Sequence, residues 1–292
     1  TVRSRVTAGN PPTSVQMLGF DILEWAEQGE LSNLNATAEA EGWDNVVPEA
    51  LQFFAKYDGN WVSAPVNVHS TNWIWASGVI MEELGVTEPP ADFAGLLDLA
   101  RRAQEAGYIG IAHGGQPWQD AQVFDSVAIA TGGLDWYKRV FIDLDPEAIN
   151  SDTMIEVPDN GGEYRALVDE NFSGRDWNLA TAMVINDQAA FQLMGDWAKG
   201  EFVNAGEVAG EDFLCWRVPG TEGVVTFNAD QFAMFDVGED RRAAQAIMAS
   251  SVMSPEFQVA FNIVKGSAPA RTDVSDEAFD ACCRKAMADL RE

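Results

Sequence analysis

Residues 92–112 read DFAGLLDLARRAQEAGYIGIA, and this stretch indicates how the rest of the chain is built. Its apolar residues recur at the three-to-four-residue spacing of an amphipathic helix: Phe93, Leu96, Leu97, Ala100 and Ala103. A Pro-Pro pair precedes this helix, which we expect over 92–106, and Gly107 ends it. The apolar run 108–112 follows at once and predicts a strand. The stretch is therefore a helix–strand unit, the element from which α/β proteins are assembled.

Helices and short apolar strands alternate along the remaining sequence. Further helices are predicted at 21–28, 120–130, 241–253 and 254–265. Strand candidates are 61–62, 66–68, 189–194, 224–227 and 232–235. In the helix that begins at Ser254-Pro255, the predicted buried face consists of Phe257, Ala260, Phe261 and Val264. The alternation predicts an α/β fold, and because no flexible linker is found, two domains would be joined by several crossovers.

Composition excludes several classes of function. The chain has 292 residues, with 46 acidic against 18 basic side chains and a net charge of −28. So negative a protein repels a phosphate backbone, and it offers no polybasic patch to anionic lipid. Nucleic acid and the membrane surface are therefore not expected as partners. With 47% apolar residues and ten tryptophans, the chain is typical of a folded protein of one large domain or two.

Neither a membrane span nor a secretion signal is expected within the sequence. The longest stretch without charged side chains, 59–81, contains many polar residues that are costly in hydrocarbon, so it does not read as a transmembrane helix. Residues 1–5 lack the apolar core of a secretion signal, and we expect any such signal to have been removed already.

The three cysteines, Cys215, Cys282 and Cys283, are too few and wrongly spaced for a zinc site. Adjacent cysteines rarely bridge each other because the geometry is strained. In an oxidising compartment Cys215 could bridge either Cys282 or Cys283. Three ordinary buried thiols are the alternative.

The usual signatures of catalysis are missing from the sequence. It has no G-x-S-x-G, H-E-x-x-H, G-x-x-x-x-G-K or G-x-G-x-x-G motif, and its only histidines are His69 and His113. We therefore expect no metal and no cofactor. Carboxylates are abundant, so a hydrolase with a glycosidase-like carboxylate pair stays an alternative.

Three tryptophans lie where a hydrophobic core would not place them. Trp118, Trp177 and Trp197 each lie at a turn-to-helix junction beside a carboxylate or carboxamide. A sugar ring stacks its apolar C–H face on an indole, and its hydroxyls bind neighbouring polar groups. The alternative is that each indole caps a domain edge, with its N–H bonded to a neighbour. Together the three favour a carbohydrate site.

Three further polar residues are candidates for the same site. His69 follows a strand, and Asp230 lies between two apolar strand halves. Lys265 ends a helix, where favourable interaction with the helix C-terminus is the alternative.

Five ordered blocks of the sequence, at 8–12, 112–120, 174–183, 195–202 and 264–267, resemble one family. The resemblance is to the extracytoplasmic sugar-binding proteins of ABC transporters, the family 1 solute-binding proteins, in the glucose/mannose-type branch. It covers nearly the whole chain. It implies a two-lobed, type II-like periplasmic-binding-protein fold whose hinge-joined lobes close on a monosaccharide without chemistry. The implied protein is a periplasmic or extracytoplasmic monomer that takes a glucose-like hexose to an ABC permease.

The same resemblance implies roles for individual residues. Trp177 and Trp197 would stack on the sugar or line its cleft, Asp230 would accept a hydroxyl and Lys265 would donate to one. His69, Trp118 and Asp120 fall on loops at the cleft side. Cys215 and Cys282 match the bridging pair of the family, which leaves Cys283 over. Lobe I would comprise 1–66 and 232–266, and lobe II 67–231 and 267–292.

The sequence also departs from the family pattern. Family members begin with a strand that carries a Trp-Trp-x-x-x-x-Glu sugar-binding element, and they continue to a C-terminal histidine that contacts the sugar. Neither is present, so we expect a member lacking both ends, with lobe I incomplete at its N-terminal end. Leu18 stands where glucose binders have a polar residue. An interaction or sensory domain that no longer binds sugar is therefore a further alternative.

Overall fold

The computed structural model describes residues 1–290. Its α-helices are α1 (Val2–Thr7), α2 (Gly19–Glu27), α3 (Asn35–Glu41), α4 (Glu49–Ala55), α5 (Gly78–Glu83), α6 (Phe93–Glu105), α7 (Pro117–Phe141), α8 (Pro146–Ile149), α9 (Thr153–Ala166), α10 (Trp177–Ile185), α11 (Ala198–Ala205), α12 (Glu239–Met253), α13 (Pro255–Lys265) and α14 (Ala281–Asp289). Its strands are β1 (Ser14–Met17), β2 (Lys56–Tyr57), β3 (Asn60–Trp61), β4 (Ser63–Pro65), β5 (Asn67–Ser70), β6 (Trp73–Ser77), β7 (Ile109–Ile111), β8 (Ala189–Leu193), β9 (Phe213–Arg217), β10 (Phe227–Asn228), β11 (Gln231–Met234) and β12 (Ala268–Pro269). The predicted α/β class is confirmed.

The chain forms two compact units. Unit 1 comprises Thr1–His69, Asn228–Phe279 and Cys283–Glu292, and unit 2 comprises Ser70–Phe227 and Asp280–Cys282. The predicted lobes differ from these units mainly after residue 266, since 267–292 was assigned to lobe II. Most of that segment belongs to unit 1 because β12 pairs with β5, with Ala268 opposite Val68. Its apolar side chains also form a small core around Ala268, which consists of Val274, Phe279, Cys283 and Met287.

Unit 1 is built on an antiparallel sheet in the order β1-β11-β4. On one side its core contains Trp43 and Trp61, whose rings meet edge to face with centroids 5.3 Å apart. The β2–β3 hairpin turns at Asp58-Gly59, where φ is positive at both residues (48° and 75°). Two successive positive φ angles characterise the type I′ turn, whose twist matches that of the strands it joins.

Helix α13 begins as predicted, with the Ser254 hydroxyl accepting from the Phe257 N–H. The expected buried face is wrong: Ala260 and Val264 are exposed, and Phe257 and Phe261 are only half-buried. The buried residues of the helix are Gln258 and Asn262.

These two amides are buried because they form hydrogen bonds with main-chain groups of neighbouring segments. Gln258 donates to the carbonyl oxygens of Pro65 and Val252, and it accepts from the Ala270 N–H at 2.7 Å. Asn262 donates to the Val66 carbonyl oxygen at 2.9 Å. A buried main-chain group left unpaired costs more than an apolar contact returns, so amides occupy this face.

Unit 2 is built on a four-stranded mixed sheet in the order β7-β8-β6-β9, in which only β7 and β8 run parallel. The predicted helix at 92–106 is confirmed as α6, capped by the Asp92 carboxylate, which accepts from the Gly95 N–H at 2.8 Å. Its apolar stripe packs on the sheet next to Ile74 and Phe191. The helix expected at 120–130 begins earlier, at Pro117, and α7 extends to Phe141 across a break at Gly133 (φ 77°).

A disulfide bond joins Cys215 on β9 to Cys282 in the first turn of α14. The pairing implied by the family resemblance is therefore confirmed, and the buried Cys283 lies outside the disulfide, with its Sγ 3.3 Å from the Ser267 carbonyl oxygen. The buried ammonium of Lys199 forms an ion pair with Asp280 at 2.9 Å. Together these two links hold residues 280–282 in unit 2.

No helix within residues 1–290 combines the length and the apolar character that crossing a bilayer requires.

Removing the disulfide should lower stability measurably. Replacing both cysteines (Cys215→Ser with Cys282→Ser) opens a link between residues 67 positions apart in the sequence. A bond of this kind restricts the unfolded chain, so we expect the free energy of unfolding to fall by about 2–4 kcal/mol in urea denaturation. Cys283→Ser is the matched control and should change stability by less than about 1 kcal/mol, because serine can keep the hydrogen bond to Ser267. Equal effects in the two variants would contradict this account.

Candidate functional site

The candidate site in unit 1 is centred on Asp230, which lies between β10 and β11. Its carboxylate accepts hydrogen bonds from Gln16 Nε2 at 2.6 Å and Asn67 Nδ2 at 2.9 Å. The third neighbour is His69 Nε2, 3.1 Å away. In return, the Asp230 N–H donates to Asn67 Oδ1 at 2.8 Å, which fixes the turn. Side chains from two strands, β1 and β5, therefore hold one carboxylate in place.

The surroundings of Asp230 keep its carboxyl group ionised. Burial by itself raises the pKa of Asp230, but the hydrogen bond and charge of His69, the Asn67 amide and the charge of Lys265 together lower it well below its usual range. An ionised carboxylate accepts hydrogen bonds that are about twice as strong as those of a neutral acceptor. Asp230 is therefore a permanent and strong acceptor for hydroxyl or N–H groups.

The structure brings together three of the residues proposed from the sequence. His69 contacts Asp230 directly, and Lys265, the exposed last residue of α13, acts on it through its charge. Gln16 and Asn67 were missed. Asn67 could have been found, since residues two apart on a strand share a face and Asn67 precedes His69 by two. Gln16 could not, because its position depends on β1 pairing with the distant β11.

In unit 2, Trp118 and Trp177 lie at the starts of α7 and α10, and the two loops that lead into these helices, 113–116 and 172–176, are cross-linked through Arg175. The Arg175 guanidinium binds both carboxylate oxygens of Asp169, at 2.7 and 2.6 Å, and donates to the His113 carbonyl oxygen at 3.0 Å. The Arg175 carbonyl accepts from the Gly115 N–H at 2.9 Å. Glycine is required here, since a Cβ at residue 115 would lie 2.2 Å from the Gly174 nitrogen. The two loops are therefore held as one unit.

Gln116 links the two tryptophans that follow these loops. It accepts from Trp118 Nε1 at 3.0 Å and donates to Asp176 Oδ1 at 2.8 Å, next to Trp177 at the start of α10. The alternative reading, in which an indole N–H is bonded to a neighbour, thus holds for Trp118. Its ring nevertheless stays 42% exposed, so the bond orients the ring without burying it.

Trp197, which directly precedes α11, packs against Trp118 from a third segment of the chain. Its indole folds back over Gly195, where a Cβ would lie 2.3 Å from the ring. Asp196 fixes the same turn by accepting from the Ser70 N–H at 2.9 Å. The Trp118 and Trp197 ring centroids are 6.0 Å apart, with planes inclined at 58°. The structure therefore forms a pair of partly exposed indoles, here named the indole pair.

Asp120 does not join the indole pair. It follows Trp118 by two positions on α7, which places the two side chains about 200° apart around the helix. Its carboxylate is instead bonded to His113 Nε2 at 2.9 Å.

Within residues 1–290, no cluster of three or more His, Cys, Asp or Glu side chains is arranged to hold a metal ion.

Comparisons with known proteins show the family to which the chain belongs. The chain matches the bacterial extracellular solute-binding protein family over residues 1–249. A protein of Brucella melitensis named as a probable sugar-binding periplasmic protein is 60% identical over 291 residues, which cover 100% of this chain and 69% of that protein. The chain therefore belongs to the bacterial extracellular solute-binding protein family.

More distant similarities agree with the fold. The xylose/arabinose-binding protein XacG of Haloferax volcanii is 25% identical, over 94% of this chain and 60% of its own length. The solved structure of AcbH, a bacterial solute receptor with an exclusive preference for β-D-galactopyranose, gives a TM-score of 0.81 at 18% identity. That comparison covers 99% of this chain and 75% of AcbH. A chitin oligosaccharide binding protein gives 0.82 at 17% identity, over 99% and 74%. The predicted two-lobed periplasmic-binding-protein fold is confirmed.

Asp230 should make the stability of the protein depend on pH in the acid range. Its pKa is lower in the native state than in the unfolded chain, where it is about 3.9. The ionised group therefore stabilises the native state fully above about pH 4, and this contribution is lost as the pH falls towards the native pKa. The difference in unfolding free energy between the wild type and Asp230→Asn should therefore shrink as the pH falls below about 4.

Urea denaturation over a series of pH values measures this difference. Asp159→Asn, at an exposed position of α9, is the control and should give a difference near zero throughout. A difference for Asp230→Asn that does not change between pH 6 and pH 3 would refute the assignment of an ionised, hydrogen-bonded carboxylate.

Proposed function

We propose that this protein is an extracytoplasmic receptor that captures a glucose-like monosaccharide by lobe closure and delivers it to an ABC permease. The observation that carries the proposal is the ionised Asp230 carboxylate, held by Gln16, Asn67 and His69. A sugar hydroxyl needs such an acceptor, and a neighbouring cation such as Lys265 can donate to the next hydroxyl. This is binding chemistry, and it leaves the sugar unchanged.

The indole pair in unit 2 supports a carbohydrate ligand independently. Trp118 and Trp197 present aromatic faces that are neither buried in the core nor isolated on the surface. Such faces stack on the C–H side of a pyranose ring. We propose that Trp177 contributes a third aromatic surface, because Asp176 and Gln116 connect it to Trp118.

The ionisation of Asp230 argues against a hydrolase that uses a pair of carboxyl groups. A glycosidase needs a general acid whose pKa is raised so that it carries a proton at neutral pH. The pKa of Asp230 is lowered instead, since the surrounding donors and charges outweigh its burial. Asp230 therefore suits the role of a hydroxyl acceptor and cannot serve as the proton donor of such a pair.

We propose a monosaccharide as the ligand because several blocks of the sequence resemble those of glucose/mannose-type receptors. Among the related proteins, AcbH prefers β-D-galactopyranose, XacG is named for xylose and arabinose, and another structure is a chitin oligosaccharide binding protein. Titration calorimetry of the protein with glucose, mannose, galactose, xylose and a chitin oligosaccharide tests the proposal. Saturable binding of a hexose supports it, whereas binding of the oligosaccharide alone would overturn the monosaccharide assignment.

Trp197→Ala should weaken binding of the hexose by about 1–3 kcal/mol, the loss expected for one stacked aromatic contact. Trp136→Ala is the matched control, because Trp136 is also half-buried but its N–H binds Ser151, away from the indole pair. Calorimetry on both variants gives the difference directly. Unchanged affinity in Trp197→Ala would remove Trp197 from the site. Release of glucose from aryl glucosides by the wild-type protein would overturn the receptor function itself.

A further inference from the structure

A cavity of about 250 Å³ in unit 2 lies between α7 and α9. The two helices run antiparallel. Asn160 of α9 donates to Thr131 Oγ1 of α7 at 2.9 Å, whereas Tyr164, further along α9, packs its ring against that of His113, which precedes α7. The first turn of α7 therefore lies beside the last turn of α9, and these two turns form the same end of the cavity.

This end of the cavity carries two opposite charges. Asp120 in the first turn of α7 and Arg165 in the last turn of α9 both line it. The Asp120 side chain is 65% exposed and Arg165 is also exposed, so both charged groups are accessible from solvent. Within residues 1–290 no ion pair joins the two. A ligand can therefore bind between them.

Both charged groups keep hydrogen-bonding capacity for such a ligand. Asp120 uses Oδ1 to bind His113 Nε2 at 2.9 Å, which leaves Oδ2 available. The Arg165 guanidinium lies over the Phe172 ring, with Cζ 3.8 Å from the ring centroid. Stacking of this kind occupies the flat face of a guanidinium, whereas its N–H donors lie in its plane. The edge of Arg165 can therefore bind an anionic group.

The rest of the cavity is apolar. Its walls come from the turns of α7 that follow Asp120 and the turns of α9 that precede Arg165, and they consist of Val123, Phe124, Val127, Val157 and Pro158. An apolar cavity of about 150 Å³ holds benzene, so the larger volume here accommodates a phenyl ring with a short linker. The cavity is therefore amphipathic, with both charges at one end and an apolar wall beyond them.

We propose that this cavity binds a free α-amino acid with a large apolar side chain, the chemistry of phenylalanine. The side chain lies against Val123, Val127 and Val157. The ammonium group donates to Asp120 Oδ2, and the carboxylate accepts from the edge of the Arg165 guanidinium. A zwitterion fits because it carries both charges next to each other. A ligand with a single charge would pair with one of the two residues and be repelled by the other.

The amino-acid site is distinct from the proposed sugar site. It shares no residue with the Asp230 site or with the indole pair, because Asp120 and Trp118 lie on different sides of α7. The proposal therefore does not depend on which sugar the protein binds.

L-Phenylalanine is the probe, and the matched ligands are 2-phenylethylamine, which lacks the carboxylate, and 3-phenylpropionate, which lacks the ammonium group. Each is titrated into the whole protein and followed by NMR of the protein's methyl groups, at about 0.15 M salt to screen the net charge of −28. Phenylalanine should bind saturably and shift the resonances of Val123, Val127 and Val157. Each matched ligand should bind about 3- to 10-fold more weakly, the effect of losing one partly exposed ion pair.

Arg165→Gln tests the charged end of the cavity. It should weaken phenylalanine binding about 3- to 10-fold, and it should not weaken binding of 2-phenylethylamine, which has no carboxylate to lose a partner. The preference for phenylalanine over 2-phenylethylamine should therefore disappear. Arg241→Gln, at an exposed position of α12 in unit 1, is the matched control and should leave both affinities unchanged.

Val157→Phe tests the apolar part of the cavity. The larger side chain fills the space between α7 and α9, so phenylalanine should bind at least about tenfold more weakly. If Val157→Phe does not fold, Arg165→Gln decides alone, because Arg165 is exposed and its replacement leaves the core unchanged.

The proposal is overturned if phenylalanine gives no saturable shifts up to its solubility limit. It is equally overturned if Arg165→Gln keeps the preference for phenylalanine over 2-phenylethylamine, or if a folded Val157→Phe binds phenylalanine as the wild type does.

Discussion

The candidate site in unit 1 depends on one carboxylate that is partly withdrawn from water and yet remains charged. Asp230 can do so only because Gln16, Asn67 and His69 surround it, and these residues come from β1 and β5. Withdrawing a charge from water is costly unless such partners replace the lost hydration. The antiparallel pairing of β1 with β11 is therefore both a structural feature and the means by which Gln16 reaches the site.

In unit 2 the candidate site depends on keeping two particular tryptophans out of the core. The rings of Trp73 and Trp75 are fully buried in the sheet, whereas Trp118 and Trp197 are held away from it by short polar loops. The half-buried Arg175–Asp169 pair and the close approach of Gly115 to Gly174 hold the first of these loops. Because the loops hold these rings in place before a ligand arrives, the rings lose little conformational entropy on binding, which favours affinity.

Local signals in the sequence predicted helices α2, α6, α7, α12 and α13, and they failed where partners are distant in the chain. The spacing of apolar residues, the preceding Pro-Pro pair and Gly107 were sufficient to predict α6, and Ser254-Pro255 predicted the start of α13. The predicted buried face of α13 was wrong because Gln258 and Asn262 donate to the carbonyl oxygens of Pro65 and Val66, which are distant in the chain, so no local pattern reveals these bonds. The candidate site shows the same division: Trp118, Trp197, His69 and Asp230 were proposed from their sequence neighbours, whereas the position of Gln16 depends on strand pairing.

The division of the chain between the units has a consequence for the order in which they form. The main segment of unit 2, Ser70–Phe227, is continuous and contains every strand of the four-stranded sheet, so that sheet can form at an early stage of folding without the rest of the chain. Unit 1 cannot close its sheet at that stage, because Val15 pairs with Ala233. Pairing across so many residues carries a large loop-closure entropy and slows folding. Until β11 pairs with them, the apolar residues of β1 and β4 lack their partner strand, and at this stage of folding the protein is most prone to aggregation.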